Sequence, residues 1–464
     1  MGKLSISLLL CVFWAVNVFG LSVDVINKDL VNKNVERTID LSTQLVKISS
    51  KITIENIGKA PVKNFLVAVD PISKDKLAFV SVKDSNKRDV RTFETSVLDN
   101  TNAKFWRIEL KEALQPGKTA VYQFDTVYSK SLTPYPSSIT QKEKQLVRFI
   151  GNHYFYSPYL TNSQKTTVSV GTRNIETFTK LKPFSHSDST IHYGAYENIP
   201  SFSEDELNIH YENNAPFLTV TKIDRTIEVS HWGNIAVEET IDMYHSGAVL
   251  KGSFSRYEYQ QDSSSGLSSV KSYKTLLPAS ATGVYYRDTN GNISTSHMRV
   301  KKDAVELELR PRFPLFGGWK THYTLGYNVP SYEYLYHSGD QYLLKMRLMD
   351  HIYDDMVVDE IKTTVILPEG TTEVKVTPPY PVIRHPDTLH YTYLDTKGRT
   401  TISFTKKNLV ENHIQDFQLR YSFPRILMFQ EPILVVIFLY ILFLLVIVYV
   451  RLDFSIHKDE NHKE

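Results

Sequence analysis

The feature that most constrains this chain is an uncharged apolar run near its C-terminus, from Ile433 to Val450. At about 1.5 Å per residue, a helix of this length spans roughly 27 Å, close to the hydrocarbon thickness of a thin cellular membrane. Pro432 stands at the entry, where a helix tolerates proline. A buried core helix is the alternative, but uncharged runs this long are typical of membrane spans. The sequence therefore predicts a transmembrane helix at 433–450, followed by a tail at 451–464.

The first twenty residues have the pattern of a secretory signal peptide. Lys3 gives a positively charged start, and an apolar stretch follows from Leu4 to Val18. We expect cleavage between the small residue Gly20 and Leu21. A buried N-terminal helix is the alternative, but polar sequence follows at once. Cleavage would place the main part of the chain in the lumen of the secretory pathway and the short tail in the cytosol, as a single-pass type I protein.

The only cysteine, Cys11, lies in the predicted signal peptide. The rest of the chain must therefore fold by burial alone, and its length is sufficient for more than one sizeable core. Lack of cysteine excludes thiol catalysis, disulfide exchange and cysteine-ligated zinc in the mature protein. The net charge of +2 gives no reason to expect a nucleic-acid partner.

Alternation of apolar and polar residues dominates the region between the two apolar ends. Val305, Leu307 and Leu309 alternate with glutamates, and the same period of two runs through 323–329. Such alternation places one face of a strand on a core and the other in water. The segment around Gln141 to Arg148 is a weak helical candidate. The sequence predicts a mainly β fold.

An internal repeat divides this region into two halves. RTIDLS at Arg37 recurs as RTIEVS at Arg225, and TTV at Thr166 recurs as TTV at Thr363. In each half, the strand after the RTI string has an inward set of apolar residues with a polar residue at its centre. The matches keep one order with offsets of roughly 190 to 200 residues, as expected of a duplication. We predict two tandem β-rich lumenal domains, 21–215 and 216–424.

The segment from Leu309 to Lys320, LRPRFPLFGGWK, combines prolines, glycines and aromatic residues. Its backbone must be extended or turning. The functional interpretation is an exposed aromatic docking loop. The structural interpretation is a hairpin connection whose aromatic side chains cap the second core, and we favour it.

A search for catalytic motifs finds none of the common ones. The sequence has no H-E-x-x-H, no G-x-S-x-G and no P-loop. His192 and His390 stand at matching places in the repeat. They could form a paired metal or proton site, or they could be a duplicated structural histidine, which is the interpretation we favour. Asp354 and Asp355 resemble a metal contact, although a solvated turn explains them better. We therefore predict no catalytic, cofactor-binding or metal-binding residue.

One modification motif is present. Asn292, Ile293 and Ser294 form an N-glycosylation acceptor within a stretch rich in turn-forming residues. We expect Asn292 to carry a glycan if this part of the chain faces the lumen.

Several long strings resemble ribophorin I, a subunit of the oligosaccharyltransferase complex. The strings are HWGNIAVEE from His231, GAVLKGSFSRYEYQ from Gly247, LRPRFPLFGGWKTHYTLGYNVPSYEYLY from Leu309, LHYTYLDTKGRT from Leu389, KKNLVENHIQDFQLRY from Lys406 and YVRLDFSIHKD from Tyr449. These are not short catalytic patterns, so the resemblance is specific, and it covers most of the chain.

The resemblance implies a non-catalytic role in protein N-glycosylation at the endoplasmic reticulum membrane. The complex moves a preassembled glycan from dolichol pyrophosphate to Asn-x-Ser/Thr sequons of nascent chains. Implied partners are the other subunits, including a multi-spanning catalytic subunit, nascent polypeptides and the translocation channel. Animal members continue into a long cytosolic extension, whereas this chain ends at Glu464. Retention in the reticulum is then expected to come from complex assembly.

Two other classes of function stay open at this point. One is an enzyme acting alone, a lumenal hydrolase or peptidase relative. The other is a lectin or chaperone-like receptor that binds glycans or unfolded chains through tyrosine-rich surfaces. The 28 tyrosines are also typical of β-sheet cores, and we favour that explanation.

Overall fold

The computed structural model describes residues 22–97, 102–261, 265–392 and 394–452. Strands dominate these residues, which confirms the predicted β class. The predicted signal peptide, its cleavage point at Gly20 and Leu21, and the tail beyond Leu452 lie outside the described residues.

In the described residues of the first half, the regular secondary structure consists of strands. In chain order they are β1 Ser22–Asp24, β2 Leu30–Asp40, β3 Val46–Asn56, β4 Val62–Val69, β5 Leu77–Asp84, β6 Thr92–Val97, β7 Lys104–Leu114, β8 Thr119–Tyr128, β9 Leu132–Pro134, β10 Ser138–Ile139, β11 Leu146–Asn152, β12 Thr161–Ser169, β13 Ile175–Phe178, β14 Phe184–Ser187, β15 Thr190–Ile199 and β16 Glu206–Glu212. The expected helix around Gln141 to Arg148 was wrong, because these residues form a turn and the start of β11.

The part of the second half that the structure describes adds seventeen strands and three α-helices. The strands are β17 Leu218–Val229, β18 Asn234–His245, β19 Val249–Leu250, β20 Tyr273–Pro278, β21 Thr282–Asp288, β22 Gly291–Asn292, β23 His297–Val300, β24 Ala304–Leu309, β25 Lys320–Pro330, β26 Leu335–Ser338, β27 Gln341–Arg347, β28 Val357–Glu369, β29 Thr372–Thr377, β30 Ile383–Arg384, β31 Thr388–His390, β32 Arg399–Val410 and β33 Asp416–Ser422. The helices are α1 Arg256–Gln261, α2 Ser331–Tyr334 and α3 Gln430–Arg451, and short 3₁₀ turns cover Glu411–His413 and Arg425–Phe429.

Each half contains one large mixed sheet. The first has the order β14-β15-β12-β2-β3-β8-β5, and the second has the order β30-β32-β28-β17-β18-β25-β21-β22, with β31 also paired to β32. One parallel pair lies inside each sheet, and it places Arg37 opposite Thr166 and Arg225 opposite Thr363. A smaller four-stranded sheet accompanies each, β13-β16-β11-β9 and β29-β33-β27-β26. These registers agree with the repeated RTI and TTV strings, and the duplication itself stays a prediction.

Two hydrophobic cores follow the same division of the chain. One core gathers buried side chains from Leu30 to Phe217, and the other gathers them from Leu218 to Phe423. We call the two parts the first unit and the second unit. Alternation builds both cores: along β18, every second residue from Ile235 to His245 is buried, while the intervening side chains are partly exposed. Each fully buried aliphatic or aromatic side chain contributes about 1.5–3 kcal/mol.

The apolar helix α3 leaves the second unit as an extension. It includes all of 433–450 and begins three residues earlier than that run, at Gln430. No residue along its length is buried within this chain. By length and composition it is able to cross a membrane, and within the described residues it is the one helix that meets this test.

Candidate functional site

Among the described residues, no group of three or more His, Cys, Asp or Glu side chains is arranged so that it could hold a metal ion. His192 lies exposed on β15 with Nδ1 3.2 Å from the hydroxyl of Thr167. His390 lies on the short edge strand β31. The strand of the second unit that matches β15 is β32, which pairs with β28 as β15 pairs with β12. The expectation that these two histidines are equivalent was therefore wrong.

The predicted acidic turn takes part in an interface between the two units. The carboxylate of Asp355 lies 2.5 Å from Lys47 Nζ, and the Asp355 carbonyl accepts a hydrogen bond of 2.7 Å from Gln44 Nε2. Asp354 instead faces His351 at 3.2 Å. Asp355 thus contacts the first unit, a role that the sequence did not indicate because its partners are some 300 residues away, at a separation of 308 from Lys47.

Apolar contacts continue this interface. A small buried cluster joins side chains of both units: Leu45 and Val127 from the first, Val357 and Val410 from the second. Beside it, the hydroxyl of Ser129 donates to Asn408 Oδ1 at 2.7 Å. A cleft of about 520 Å³ opens along the same seam. The two units are therefore held together by a continuous interface, in addition to their covalent connection.

A second joint connects the units through backbone pairing. Strand β10 of the first unit pairs in parallel with β19 of the second. The buried side chain of Gln145 also connects the two units, since its Nε2 donates to Asn213 O at 2.9 Å in the first unit and its Oε1 accepts from Ala248 N at 2.8 Å in the second. We call β10, β19 and Gln145 the strand joint.

The aromatic segment at 309–320 packs against the strand joint. Leu315 and Phe316 are buried, and the Phe316 ring lies 5.4 Å from Phe254 and 5.3 Å from Trp319. Phe313 is the exception, since it stays half exposed. The structure favours the interpretation in which these aromatic side chains cap the second core over that of an exposed docking loop.

The start of α3 is tied to the second unit by one arginine. The guanidinium of Arg399 contacts three carboxylates: Asp395 at 3.2 Å, Glu228 at 2.8 Å and Glu431 at 3.0 Å. Burial disfavours the Arg399 cation, but the carboxylates outweigh this effect and its pKa is raised. Glu431 lies in the first turn of α3, where the helix dipole also stabilises a negative charge.

Glu369 makes a second connection to the same turn. One carboxylate oxygen accepts backbone N–H groups of the loop at 396–398, and the other accepts a hydrogen bond of 2.6 Å from Gln430 Nε2. Burial opposes ionisation of Glu369, but these donors outweigh it and lower its pKa. We call Glu369, Arg399, Gln430 and Glu431 the helix junction.

We expect Arg399→Met to loosen the helix junction. The change removes charge-assisted hydrogen bonds from a partly buried site, at a cost of about 2 kcal/mol. Hydrogen exchange of the amides at 395–399 and of Gln430, Glu431 and Ile433 should accelerate. The matched control is Arg384→Met, which breaks an exposed pair with Asp387 and should cost less than about 0.5 kcal/mol. Equal exchange in the two variants would contradict the proposed role of Arg399.

The second unit also contains a fully buried charge network. Arg225 on β17 contacts the carboxylates of Glu239 on β18 and Asp350, the latter at 2.7 Å, and Tyr327 donates to Asp350. One carboxylate oxygen of each acid has no hydrogen-bond partner. Burial raises the pKa of Glu239 to about 7; the charge of Asp350 adds to the rise, and Arg225 opposes it. Glu239 is the polar residue at the centre of the inward set noted in the sequence.

Glu239 should make the stability of the second unit depend on pH. Its pKa is about 7 in the folded chain and 4.5 ordinarily, so the folded state holds this proton more tightly. The contribution is fully present below pH 4.5 and is lost as pH rises through 7, about 3 kcal/mol in total. The buried histidines His245 and His413 have pKa values lowered to about 4 by burial and give the opposite slope.

The difference in unfolding free energy between wild type and Glu239→Gln isolates the contribution of the Glu239 carboxyl group. We expect the unfolding free energies of wild type and Glu239→Gln to converge towards low pH. Between pH 5 and 8 the variant should gain stability relative to wild type. Glu238→Gln is the control, since Glu238 is the neighbouring residue on the partly exposed face. A wild-type-minus-variant difference that is flat with pH would contradict the assignment.

Most of the chain is similar to known proteins. A family model described as Ribophorin I matches residues 30–450. Dolichyl-diphosphooligosaccharide–protein glycosyltransferase subunit 1 of Caenorhabditis elegans is 42% identical over 429 residues, which are 92% of this chain and 73% of that protein. Subunit 1B of Arabidopsis thaliana is 36% identical over 442 residues, 92% of this chain and 94% of that protein.

A solved structure gives only a weak likeness. An M1 zinc metallopeptidase from Deinococcus radiodurans aligns over 44% of this chain and 48% of its own, with 12% identity and a TM-score of 0.24. A likeness of this size supports no inference about peptidase activity.

Proposed function

Because this chain belongs to the ribophorin I family, whose model matches residues 30–450, we propose that it is a non-catalytic subunit of the oligosaccharyltransferase complex. That complex transfers a preassembled glycan from dolichol pyrophosphate to asparagine in Asn-x-Ser/Thr sequons of nascent chains. The observation that carries the proposal is the 42% identity to the C. elegans subunit 1 over 92% of this chain.

The proposed role is that of a scaffold that positions substrate chains. Its support is architectural: two β units share an interface and a strand joint, and the helix junction ties the second unit to α3. Such a body would act through contact surfaces. The proposed partners are the multi-spanning catalytic subunit, the other subunits, nascent polypeptides and the translocation channel.

The proposed location is the endoplasmic reticulum membrane, with α3 as a single type I span and both units in the lumen. Within α3 the span is 433–450, as its lack of charge predicts. Tyrosine does not by itself favour the lectin-like alternative, because many tyrosines are core residues, among them Tyr193, Tyr211 and Tyr421.

Isolation of the complex tests the proposal. A tagged full chain purified from mild-detergent extracts should bring the multi-spanning catalytic subunit with it, identified by mass spectrometry. Depletion of the chain should lower sequon occupancy on reporter glycoproteins, and the purified chain alone should transfer no glycan. Transfer by the isolated chain would contradict the non-catalytic assignment. Normal occupancy after depletion, with no co-purified subunit, would contradict membership of the complex.

We propose that Asn292 carries an N-glycan. The residue is exposed on β22, at the tip of a hairpin whose partner strand is β21, so the acceptor is open to solvent. We expect Asn292→Gln to remove one endoglycosidase-sensitive mobility shift. Asn290→Gln is the control in the same turn, because Asn290 does not begin a sequon. An unchanged mobility in Asn292→Gln would contradict the proposal.

A further inference from the structure

An exposed aromatic and aliphatic surface surrounds the start of α3. Trp232 is 64% exposed, Phe429 54% and Ile426 75%, although each is a large apolar side chain. The Trp232 and Phe429 rings meet edge to face with centroids 6.5 Å apart. Exposed apolar side chains that form a contiguous patch mark a contact with another molecule or with a membrane. We call these three residues the collar.

Two different parts of the fold build the collar. Trp232 lies in the tight turn between β17 and β18, which is closed by a hydrogen bond of 3.0 Å from Ser230 N to Asn234 O. Ile426 and Phe429 lie in the 3₁₀ turn that leads directly into α3. A cavity of about 80 Å³ separates the hairpin from this turn. The hairpin therefore reaches to the level of the first turn of the apolar helix.

A second loop reaches the same level. Leu394 and Tyr391 are exposed at the tip of the segment before β32. Glu369 binds the backbone of this segment at 396–398 and also binds Gln430 at the first residue of α3. Exposed apolar side chains thus also lie in a second loop, which Glu369 links to the helix start.

The length of α3 gives the depth at which the collar lies relative to the membrane. The uncharged part of α3, from Pro432 to Val450, is nineteen residues long. At 1.5 Å per residue it spans roughly 28 Å, about the thickness of the hydrocarbon layer, which leaves no slack at either end. Phe429 is three residues before Pro432, about 4–5 Å further out. The headgroup zone on each side of a bilayer is about 5–8 Å thick, so Phe429 falls inside it.

We infer that the collar lies in the headgroup zone of the lumenal leaflet and rests the second unit on the lipid surface. Trp232 shares the level of Phe429 through their ring contact. Tryptophan is favoured in this zone because its ring is apolar and its N–H finds polar partners there. The carboxylates that line the cavity beside Trp232 are Glu431, which is paired with Arg399, and Glu369, which accepts from Gln430, so both oppose contact with lipid less than free charges would.

The inference rests on the proposed insertion of α3 in the membrane, and one labelling experiment separates the two. Cysteine is confined to Cys11, so a chain carrying Cys11→Ser and one new cysteine takes a single label. The label is the environment-sensitive fluorophore NBD, placed in turn at Trp232→Cys, Leu394→Cys, Leu442→Cys and Ile57→Cys. Each full-length chain is reconstituted in phosphatidylcholine vesicles, with bromines near the headgroup end or the methyl end of the acyl chains.

The expected pattern differs at each position. The label at 442, in the middle of α3, should be quenched by deep bromines, which reports insertion. The labels at 232 and 394 should be quenched by shallow bromines and protected at least fivefold from aqueous iodide relative to 57. Ile57 is the control, since at 62% it is about as exposed as Trp232 and more exposed than Leu394, at 43%, but lies in the first unit.

Other outcomes overturn the inference in distinguishable ways. Deep quenching at 442 with iodide access at 232 and 394 equal to that at 57 would show an inserted helix and a collar in water. Protection at 232 and 394 that occurs only in the assembled complex, and not in vesicles of lipid alone, would assign the collar to a protein partner instead of lipid. Failure of quenching at 442 would refute the membrane span itself and the collar with it.

Discussion

Replacing Arg225 with methionine should unfold much of the second unit. Arg225 is fully buried, and its guanidinium is the one cation that contacts the buried carboxylates of Glu239 and Asp350 within the described residues. Removing it leaves two buried acidic groups in the core of the second unit with no compensating cation. Breaking a buried ion pair from one side costs about 3–5 kcal/mol, against a typical total stability of about 5–15 kcal/mol.

Hydrogen exchange resolved along the chain is the suitable measurement, because two units need not unfold in one step. Amides of β17, β18 and β28 should lose most of their protection, while those of β2, β3 and β12 should keep it. Adding Glu239→Gln and Asp350→Asn to Arg225→Met should restore part of the protection, since the uncompensated charge is then removed.

The control is Arg37→Met at the corresponding register of the first unit. Arg37 is also buried, but it donates to two backbone carbonyls, Asn152 O at 2.6 Å and Tyr154 O at 3.3 Å, and its Cα partner on β3 is Ser50. Its loss leaves carbonyls unpaired but breaks no ion pair among the described residues, because the buried carboxylate of Asp70 acts on Arg37 only at longer range; the cost should be about 1–3 kcal/mol. Equal loss of protection from Arg225→Met and Arg37→Met would show that charge compensation is not what Arg225 provides.

Gly317→Ala should separate the aromatic segment from the strand joint. A Cβ on Gly317 would lie 1.8 Å from the carbonyl oxygen of Ala248 and 3.1 Å from that of Gly247, both backbone atoms. Backbone cannot rotate away as a side chain can, so the overlap must move β19 or the segment at 309–320. Overpacking of this kind costs about 3 kcal/mol.

The amides of Leu250, which donates to Gly317 O at 3.2 Å, and of Val249, which donates to Ser137 O at 2.9 Å, should exchange faster. Gly318→Ala is the neighbouring control. Its φ of +83° makes alanine strained by about 1 kcal/mol, but the nearest atoms to its Cβ are side-chain carbons of Val249 at 3.6 Å and beyond. A larger effect at Gly318 than at Gly317 would show that backbone conformation, and not close approach, requires the glycine pair.

Local pattern was sufficient to predict the strands and the apolar helix. Alternation through Val305, Leu307 and Leu309 corresponds to β24, and the uncharged run corresponds to α3. Period-two burial is a property of each strand by itself, so it is visible without knowledge of the neighbours. The false helix near Gln141 arose where the strand joint, a contact between distant segments, determines the backbone.

Contacts between residues far apart in the chain could not be predicted from the sequence. The polar residue at the centre of β18, Glu239, was noticed, but Asp350 and its place beside Arg225 were not, because the carboxylate and the guanidinium are 125 residues apart. The helix junction was missed for the same reason: Arg399 and Glu431 are 32 residues apart and look like ordinary surface charges. A charged residue directly before an apolar run is the one local signal that could have indicated the junction.

The helix junction also determines the rotation of α3 about its own axis. Arg399 and Glu369 hold its first two residues, so the azimuth of every later side chain follows from the orientation of the second unit. Successive residues of an α-helix differ by about 100° of rotation. One residue inserted directly after Glu431, beyond these contacts, would thus turn a different stripe of α3 towards any neighbouring helix. The second unit would in this way set the rotational phase with which α3 meets its neighbours.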